Sequence, residues 1–294
     1  MRRILLWGAG CKYNEYRDKI HNCKFDGIKI VGIVANGMEG PYVDEYPVIK
    51  KTDIHLIPYD YIMIMSNTYY EEIVREALAI GIEKEKILCF DVLDYMLPGF
   101  GLRKWLEVRE KKFTIISNNC WGGLLYHALH LECLSPFKNL FLMGKDYLKL
   151  CNNLKYYLEK DVVFKEYGVI PSGDMHPYPV LSLGDIDIHC NHDTEPEKAI
   201  ADWKRRCKKI NWDNLFVEMY TQSEEAANQF LQLNQFKNKV CFVPFKSSHK
   251  DLIQVELYPG QTEFWQAVNS NAGFGRNSGR YNPADLLLGK RDFD

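Results

Sequence analysis

Residues 113–123 read FTIISNNCWGG, and this stretch decides the fold expected for the larger part of the chain. The apolar run from Phe113 to Ile116 predicts a strand, and the spacing of apolar residues from Leu124 to Leu131 predicts a helix. Gly122 and Gly123 open that helix, whose backbone N–H groups can hold an anion or an oxyanion. The polar turn between strand and helix lies at the carboxyl end of a strand, where α/β proteins bind ligands. We therefore predict a ligand site at this turn.

The turn itself carries side chains suited to chemistry. Ser117 and Cys120 are candidate nucleophiles, and the amides of Asn118 and Asn119 can stabilise a negative charge that develops during a reaction. The alternative is a capped turn without chemistry, because Ser and Asn are favoured residues at the start of a helix.

A second polar strand end follows the predicted strand Asp185 to Cys190. It supplies His189, His192 and Asp193. If this end meets the first turn, the two together offer a nucleophile, a base and a carboxylate that orients the base. Metal binding is a further option, because His and Asp are common metal ligands, and purely structural histidines are the simplest alternative.

Two further groups of charged residues allow more than one interpretation. Asp185 and Asp187 are similar to the DxD motif that holds a metal-bound nucleotide sugar in many glycosyltransferases. Arg205 and Arg206 lie in the predicted helix Glu195 to Cys207, where they either grip phosphate or a carboxylated sugar or form a solvated face.

The amino-terminal part begins with a strand, Arg3 to Trp7, that runs into Gly8 and Gly10. A strand followed by such a glycine turn is typical of dinucleotide folds, in which the next helix offers its N–H groups to phosphate. Here the third glycine position is Tyr13, and the acidic residue expected after the second strand is replaced by Ala35-Asn36-Gly37. NAD is therefore not expected, whereas a nucleotide, a nucleotide sugar or no ligand suits the turn.

The order of the patterns predicts an α/β protein of two domains. Residues 1–97 alternate strands and helices and indicate a Rossmann-like parallel sheet. Within the first domain, apolar spacing predicts a helix over residues 69–80. Residues 98–112 form a connector, and residues 113–294 form a larger α/β domain. Its further predicted strands include residues 139–142 and 215–219, and a second predicted helix covers residues 223–233. The whole chain of 294 residues suits two domains of ordinary size.

Composition excludes several classes of protein. Lys and Arg number 37 against 39 for Asp and Glu, so the chain lacks the basic excess that nucleic-acid binding needs. No apolar run is long enough for a membrane span. The 9 cysteines are scattered without a CxxC pair, so we expect reduced thiols and a cytoplasmic location.

Four motifs in the second domain occur in a fixed order. They are FTIISNNCWGG, SPF at residues 135–137, GDIDIHCNHD and WKRR, and together they resemble a bacterial family of exopolysaccharide biosynthesis proteins that is otherwise described as a domain of unknown function. The resemblance covers about residues 112–294. The amino-terminal pattern resembles the Rossmann-like domains that precede sugar acyltransferases and some methyltransferases. A looser similarity is to acetyltransferase-like proteins of capsule biosynthesis.

The resemblance implies a role in making or decorating surface polysaccharide. It supplies no catalytic residue, so the site residues rest on the patterns above. We expect a transferase that acts on an activated sugar or glycan. The cofactor is left open, with a nucleotide sugar or acyl-CoA as the options. The alternatives are a metal-dependent nucleotide-sugar glycosyltransferase and an accessory protein that binds a nucleotide or sugar without catalysis. An aromatic and polar stretch at residues 258–265 and 269–281 can stack on a carbohydrate or form a packed terminal loop.

Overall fold

The computed structural model describes residues 1–35, 37, 40–94, 101–169, 176–257, 260 and 280–291. The chain divides into two compact units, Met1–Glu107 and Val108–Asp294. Strands and helices alternate in both units, which confirms the predicted α/β class. Among the described residues, none of the helices has the length and apolar character needed to cross a membrane.

The described residues of the first unit form a six-stranded sheet in the order β3-β4-β2-β1-β5-β6. Its elements are β1 (Arg2–Trp7), α1 (Cys11–Asn22), β2 (Ile28–Val34), β3 (Tyr42–Val43), β4 (Tyr46–Ile49), β5 (Tyr61–Ile64), α2 (Tyr70–Ala79) and β6 (Ile87–Cys89). Pairing is parallel except between β3 and β4, which form an antiparallel pair at one edge. Helix α3 (Leu102–Lys111) contains the boundary between the units.

The central strands of this sheet are buried, which is typical of parallel sheets. The last four residues of β1 and all of β5 are buried, as expected for strands that are covered on both faces. Helix α2 lies close to its predicted bounds, and Gly81, at a φ of 86°, follows its end.

The second unit contains a parallel sheet and an antiparallel one. Its elements are β7 (Thr114–Ser117), α4 (Trp121–Ala128), α5 (Gly144–Asn152), α6 (Leu154–Leu158), β8 (Val162–Gly168), β9 (Tyr178–Leu183), β10 (Ile186–His189), α7 (Pro196–Cys207), β11 (Leu215–Tyr220), α8 (Glu224–Leu231), β12 (Lys239–Val243), β13 (Leu252–Gln254) and α9 (Pro283–Leu287). Among the described residues, four strands pair in parallel in the order β13-β12-β11-β7, and three pair antiparallel in the order β10-β9-β8.

The segment before α5 links these two sheets. Phe141 forms an antiparallel bridge with His189 at the end of β10. The next residue, Leu142, donates its backbone N–H to the carbonyl of Asn118 at 3.1 Å. This segment therefore holds the end of β10 beside the turn that follows β7.

Candidate functional site

The turn after β7 is built around a buried carboxylate. Ser117 is the last residue of β7, and Glu218 of β11 lies opposite it in the parallel ladder. Both side chains are buried, and the hydroxyl of Ser117 donates a hydrogen bond to Oε2 of Glu218. The strand end that the sequence predicts as a ligand site thus has a buried acidic group directly beneath its last residue, on the neighbouring strand.

Neutral groups alone hold this carboxylate among the described residues. Oε1 of Glu218 accepts a hydrogen bond from Nδ2 of Asn119 at 3.0 Å. Burial raises the pKa of Glu218 to about 7, although the hydrogen bonds from Ser117 and Asn119 act in the opposite direction. Glu218 is therefore a carboxyl group that exchanges its proton near neutral pH.

The two asparagines of the turn are engaged within the protein. Asn118 pairs with the backbone of Tyr220, because its Oδ1 accepts from the N–H at 2.9 Å and its Nδ2 donates to the carbonyl at 3.1 Å. Oδ1 of Asn119 accepts from the backbone N–H of Trp121 at 2.7 Å, where α4 begins. Nδ2 of Asn119 also donates to Oδ1 of Asn118 at 2.9 Å. These contacts fix the shape of the turn.

Cys120 and His192 come together at this turn. Sγ of Cys120 lies 3.7 Å from Nε2 of His192, although 72 positions separate the two residues. Burial raises the pKa of Cys120 to about 11, and the charge of Glu218 adds to that effect. Cys120 is half-buried and His192 is exposed, so the pair lies between the buried carboxyl and solvent.

His189 and Asp193, which the sequence groups with His192, make their contacts elsewhere. The ring of His189 stacks on Phe141 with centroids 4.5 Å apart, and its Nδ1 lies 3.4 Å from the hydroxyl of Tyr178. Burial lowers the pKa of His189. Asp193 forms an ion pair with Lys198 at 2.7 Å.

Asn191, which precedes His192 in the chain, has a side-chain acceptor atom without a partner among the described residues. Oδ1 of Asn191 is buried, and no group in the described part of the chain donates a hydrogen bond to it. A buried acceptor without a donor is unfavourable in the free protein, and it suits a ligand that brings a hydroxyl or N–H group.

The remaining charged residues of the prediction are paired within the protein. Arg205 and Arg206 both bind Asp202, at 2.8 and 2.9 Å, and Arg206 also donates to the carbonyl of Lys138 at 2.9 Å. The guanidinium of Arg206 is therefore engaged by α7 itself and by the backbone of Lys138, and we interpret it as a structural residue.

The two aspartates of the DxD pattern bind different lysines. Asp185 precedes β10 and contacts Lys149 at 3.3 Å, whereas Asp187 within β10 contacts Lys165 at 2.6 Å. Within the described ranges, no three His, Cys, Asp or Glu side chains cluster in a way that would hold a metal ion.

The glycine turn of the first unit lines a cavity of about 440 Å³. Gly8 adopts a φ of 112°, and Gly10 directly precedes α1. The other lining residues come from strand ends, from the segment after β4 and from α2, and they are Trp7, Ala9, Val34, Ala35, Lys51, Tyr69, Glu72, Ile73 and Glu76. Lys51 pairs with Glu76 at 2.5 Å, so the lining mixes apolar and charged groups in the size range of small-molecule sites.

The predicted aromatic stretch at residues 258–265 and 269–281 lies outside the described residues except for Gly260, Arg280 and Tyr281. Tyr281 is buried, and its hydroxyl lies 3.4 Å from the indole nitrogen of Trp121. This one member of the stretch therefore packs against the start of α4. Residues 98–100 of the predicted connector and Asn36 of the amino-terminal pattern are also outside the described residues.

Glu218 is the site residue that the sequence reasoning missed. A signal was present, because Glu218 is the one charged residue in the predicted strand Leu215 to Met219. Charged residues are rarely fully buried, so an acid within an apolar strand is itself a candidate for function.

Comparisons with known proteins give similarities along both units. Residues 92–284 match a family described as Domain of unknown function (DUF1919). Residues 1–88 match a family described as C2185-like, N-terminal. A protein of Haemophilus influenzae (strain ATCC 51907 / DSM 11121 / KW20 / Rd), described as an uncharacterized protein, is 34% identical over 151 residues, which cover 49% of this chain and 69% of the relative.

Proposed function

The chain belongs to the family described as Domain of unknown function (DUF1919), and for it we propose a group transferase that acts in the synthesis of surface polysaccharide. The observation that carries the proposal is the pair formed by Cys120 and His192, whose sulfur and Nε2 atoms are 3.7 Å apart. A thiol beside an imidazole is an arrangement that supports nucleophilic catalysis.

The proposed reaction has two steps. Nε2 of His192 accepts the thiol proton of Cys120 while the sulfur attacks the carbonyl carbon of an acyl thioester such as acyl-CoA. The thiol of CoA leaves with that proton, and the acyl group stays on Cys120 as a thioester. A sugar hydroxyl then attacks this thioester and gives its proton to His192, which returns it to the sulfur of Cys120.

The resting state of the thiol explains why a base is needed. Because burial and the charge of Glu218 raise the pKa of Cys120 to about 11, the free thiol is protonated at neutral pH. A neighbouring imidazole that accepts the proton during the attack avoids a free thiolate. Ser117 is a weaker candidate nucleophile, since its hydroxyl is buried and bound to Glu218.

Two observations support a sugar as the acceptor. The ordered motifs of residues 112–294 resemble exopolysaccharide biosynthesis proteins, as described above. Asn191 precedes His192 in the chain, and its Oδ1, which has no donor in the described part of the chain, would accept a hydrogen bond from a sugar hydroxyl.

A direct test is acylation of the purified chain with acetyl-CoA. After an acid quench, peptide mass spectrometry is expected to find one acetyl group on Cys120. Cys120→Ala should lose the label, and Cys133→Ala should keep it. Cys133 is a half-buried thiol of the same unit, and its Sγ donates to the carbonyl of Ser135. Wild-type protein without acetylated Cys120 would contradict the thioester route.

The role in polysaccharide synthesis needs a test in cells. Cys120→Ala is expected to reduce the surface polysaccharide of a strain that depends on this chain. Full polysaccharide output from that variant would overturn Cys120 as the nucleophile.

A second candidate function belongs to the first unit. The cavity of about 440 Å³ at the glycine turn favours binding of a nucleotide or nucleotide sugar there, as an accessory site. Thermal-shift measurements with UDP-glucose, acetyl-CoA and NAD would identify the ligand class. Stabilisation by UDP-glucose that is lost in Ile73→Trp, which fills the cavity, supports this function, and the same shift in both proteins contradicts it.

A further inference from the structure

Glu218 has no part in the two transfer steps, yet it lies on β11 opposite Ser117, next to the turn that carries Cys120. Its carboxyl group is fully buried and is held by Ser117 and Asn119. The negative charge of Glu218 raises the pKa of four other titratable groups, which are Cys120 on the turn, Tyr147 on α5, Cys241 on β12 and Tyr281 before α9. All four are neutral acids, so none of them compensates a negative charge on Glu218.

Because Glu218 is buried, its negative charge interacts more strongly with neighbouring groups than a surface charge would. Water does not screen a carboxylate in a buried site, so its field acts on neighbouring acids more strongly than at the surface. Cys120 is the half-buried member of this group, and it is the one that faces His192. The ionisation of the thiol is therefore linked to the ionisation of the carboxyl.

A second link runs through hydrogen bonds. Asn119 donates to Oε1 of Glu218, and the same amide accepts from the backbone N–H of Trp121, the first residue of α4. Glu218 thereby fixes the side chain that holds the start of α4, immediately after Cys120 in the chain.

We propose that Glu218 is a positioning residue of the Cys120 site. Its buried carboxyl group, bound by Ser117 and Asn119, holds the turn that carries the thiol, and its negative charge opposes the loss of the thiol proton until the carboxyl is itself protonated. The use of the thiol in catalysis rests on the proposed function. The electrostatic link between the two side chains does not, because it is a property of the free protein.

Alkylation of cysteine by iodoacetamide tests the link, because the thiolate is the reacting form. In Glu218→Gln, the charge is removed and the size is kept. The alkylation rate of Cys120 at pH 9 is expected to rise several-fold but by less than about tenfold, because burial, the larger cause of its raised pKa, is unchanged. Peptide mass spectrometry follows each cysteine in one sample. Exposed Cys11, in the other unit, provides the reference rate.

Two controls separate charge from loosened structure. Glu218→Asp keeps the charge on a shorter side chain, so the rate for Cys120 is expected to stay close to that of the wild type. Buried Cys151 should stay unlabelled in every variant, because it reacts only if the fold opens. An unchanged rate for Cys120 in Glu218→Gln, or an equal rise in both variants, overturns the proposal.

If Glu218→Gln does not fold, the wild type still tests whether the carboxyl group is protonated near neutral pH. With ¹³C-labelled glutamate, one carboxyl resonance is expected to titrate near pH 7, and a protein in which all glutamates titrate below pH 6 contradicts the role of Glu218. The acetylation test is independent of both measurements. A shifted Cys120 rate without acetylation would overturn the transferase alone, and acetylation without a shifted rate would overturn the role of Glu218 alone.

Discussion

A Cβ atom added to Gly122 in α4 would lie 3.2 Å from Cβ of Ser117 at the end of β7 and 2.9 Å from Cγ2 of Ile115. Helix and strand therefore approach at a distance that a glycine permits and a larger residue does not. At Gly123 the nearest atom to an added Cβ would be Cγ of Lys138 at 3.5 Å, which is an ordinary contact. The two glycines predicted to bind a ligand thus differ in the space around them. Close packing of α4 against β7 requires a glycine at position 122, whereas position 123 has room for a methyl group.

Gly122→Ala should destabilise the second unit, and Gly123→Ala should not. The added methyl group at position 122 forces a shift of β7 or α4, which we expect to lower the free energy of unfolding by about 1–3 kcal/mol. At position 123 the same change is expected to be neutral or to stabilise by up to about 1 kcal/mol, because Ala is the better helix former. Denaturant unfolding followed by tryptophan fluorescence measures both, and equal losses would contradict the packing argument.

Glu218→Gln should change how stability depends on pH. The pKa of Glu218 is raised from its ordinary value of 4.5 to about 7 in the folded protein. Its protonated form therefore favours folding, a contribution that is complete below about pH 4.5 and is lost as the pH rises through about 7. Since a tenfold change in proton affinity corresponds to about 1.4 kcal/mol, the wild type should lose about 3 kcal/mol across this range that Glu218→Gln does not lose.

Denaturant unfolding at pH 5 and pH 8 measures this difference. The exposed Glu132, which pairs with Lys209 at 3.0 Å, provides the control substitution Glu132→Gln. That variant should follow the pH dependence of the wild type. If Glu218→Gln also follows it, the carboxyl of Glu218 does not titrate near neutral pH.

Much of the fold was predictable because its signals are local. Helix α7 begins at Pro196, a residue favoured at a first helical position, and Ser223 caps α8 by accepting from the N–H of Ala226 at 3.2 Å. Both helices lie within two residues of their predicted bounds. The β9–β10 hairpin has a local signal as well, since Gly184, at a φ of 68°, opens its two-residue turn. A glycine between two short apolar runs does not by itself specify antiparallel pairing.

Residues 139–142 were expected to form a strand from their apolar pattern, but the structure has no regular strand within this segment. Its apolar residues form only a bridge from Phe141 to His189, because that segment links two sheets instead of joining one as a strand.

The site was predictable only where its residues are neighbours in the chain. The turn that contains Cys120 was identified from its own composition. Glu218 lies 101 positions from Ser117, and the register of β7 against β11 brings them together. His192 reaches Cys120 because the bridge at Phe141 holds the end of β10 beside the turn. Register and bridging are tertiary properties that periodicity does not encode.

In the first unit, Gly8→Ser should be harmful and Gly10→Ser should be tolerated. Gly8 has a φ of 112°, and an added Cβ would lie 3.3 Å from the carbonyl oxygen of Met65, so a side chain there is strained by about 1–2 kcal/mol. No atom lies within 4 Å of an added Cβ at Gly10, and Ser is favoured before a helix. Thermal denaturation of the two variants measures the difference, and a lower melting temperature for Gly10→Ser than for Gly8→Ser would contradict it.

His192→Gln should slow acylation of Cys120 without unfolding the protein. Glutamine keeps a polar side chain at this exposed position but does not accept the thiol proton, and loss of a general base commonly lowers a rate by about 10²–10⁴-fold. The initial rate of Cys120 acetylation from acetyl-CoA, measured by peptide mass spectrometry, gives the effect. His189→Gln is the matched control, since the ring of His189 stacks on Phe141 with centroids 4.5 Å apart and its Nδ1 lies beside the hydroxyl of Tyr178. That variant should lose some stability through the missing ring contact but keep its acetylation rate within a few-fold of the wild type. Equal losses of rate in both variants would mean that the loop, and not the imidazole beside the thiol, is what the reaction needs.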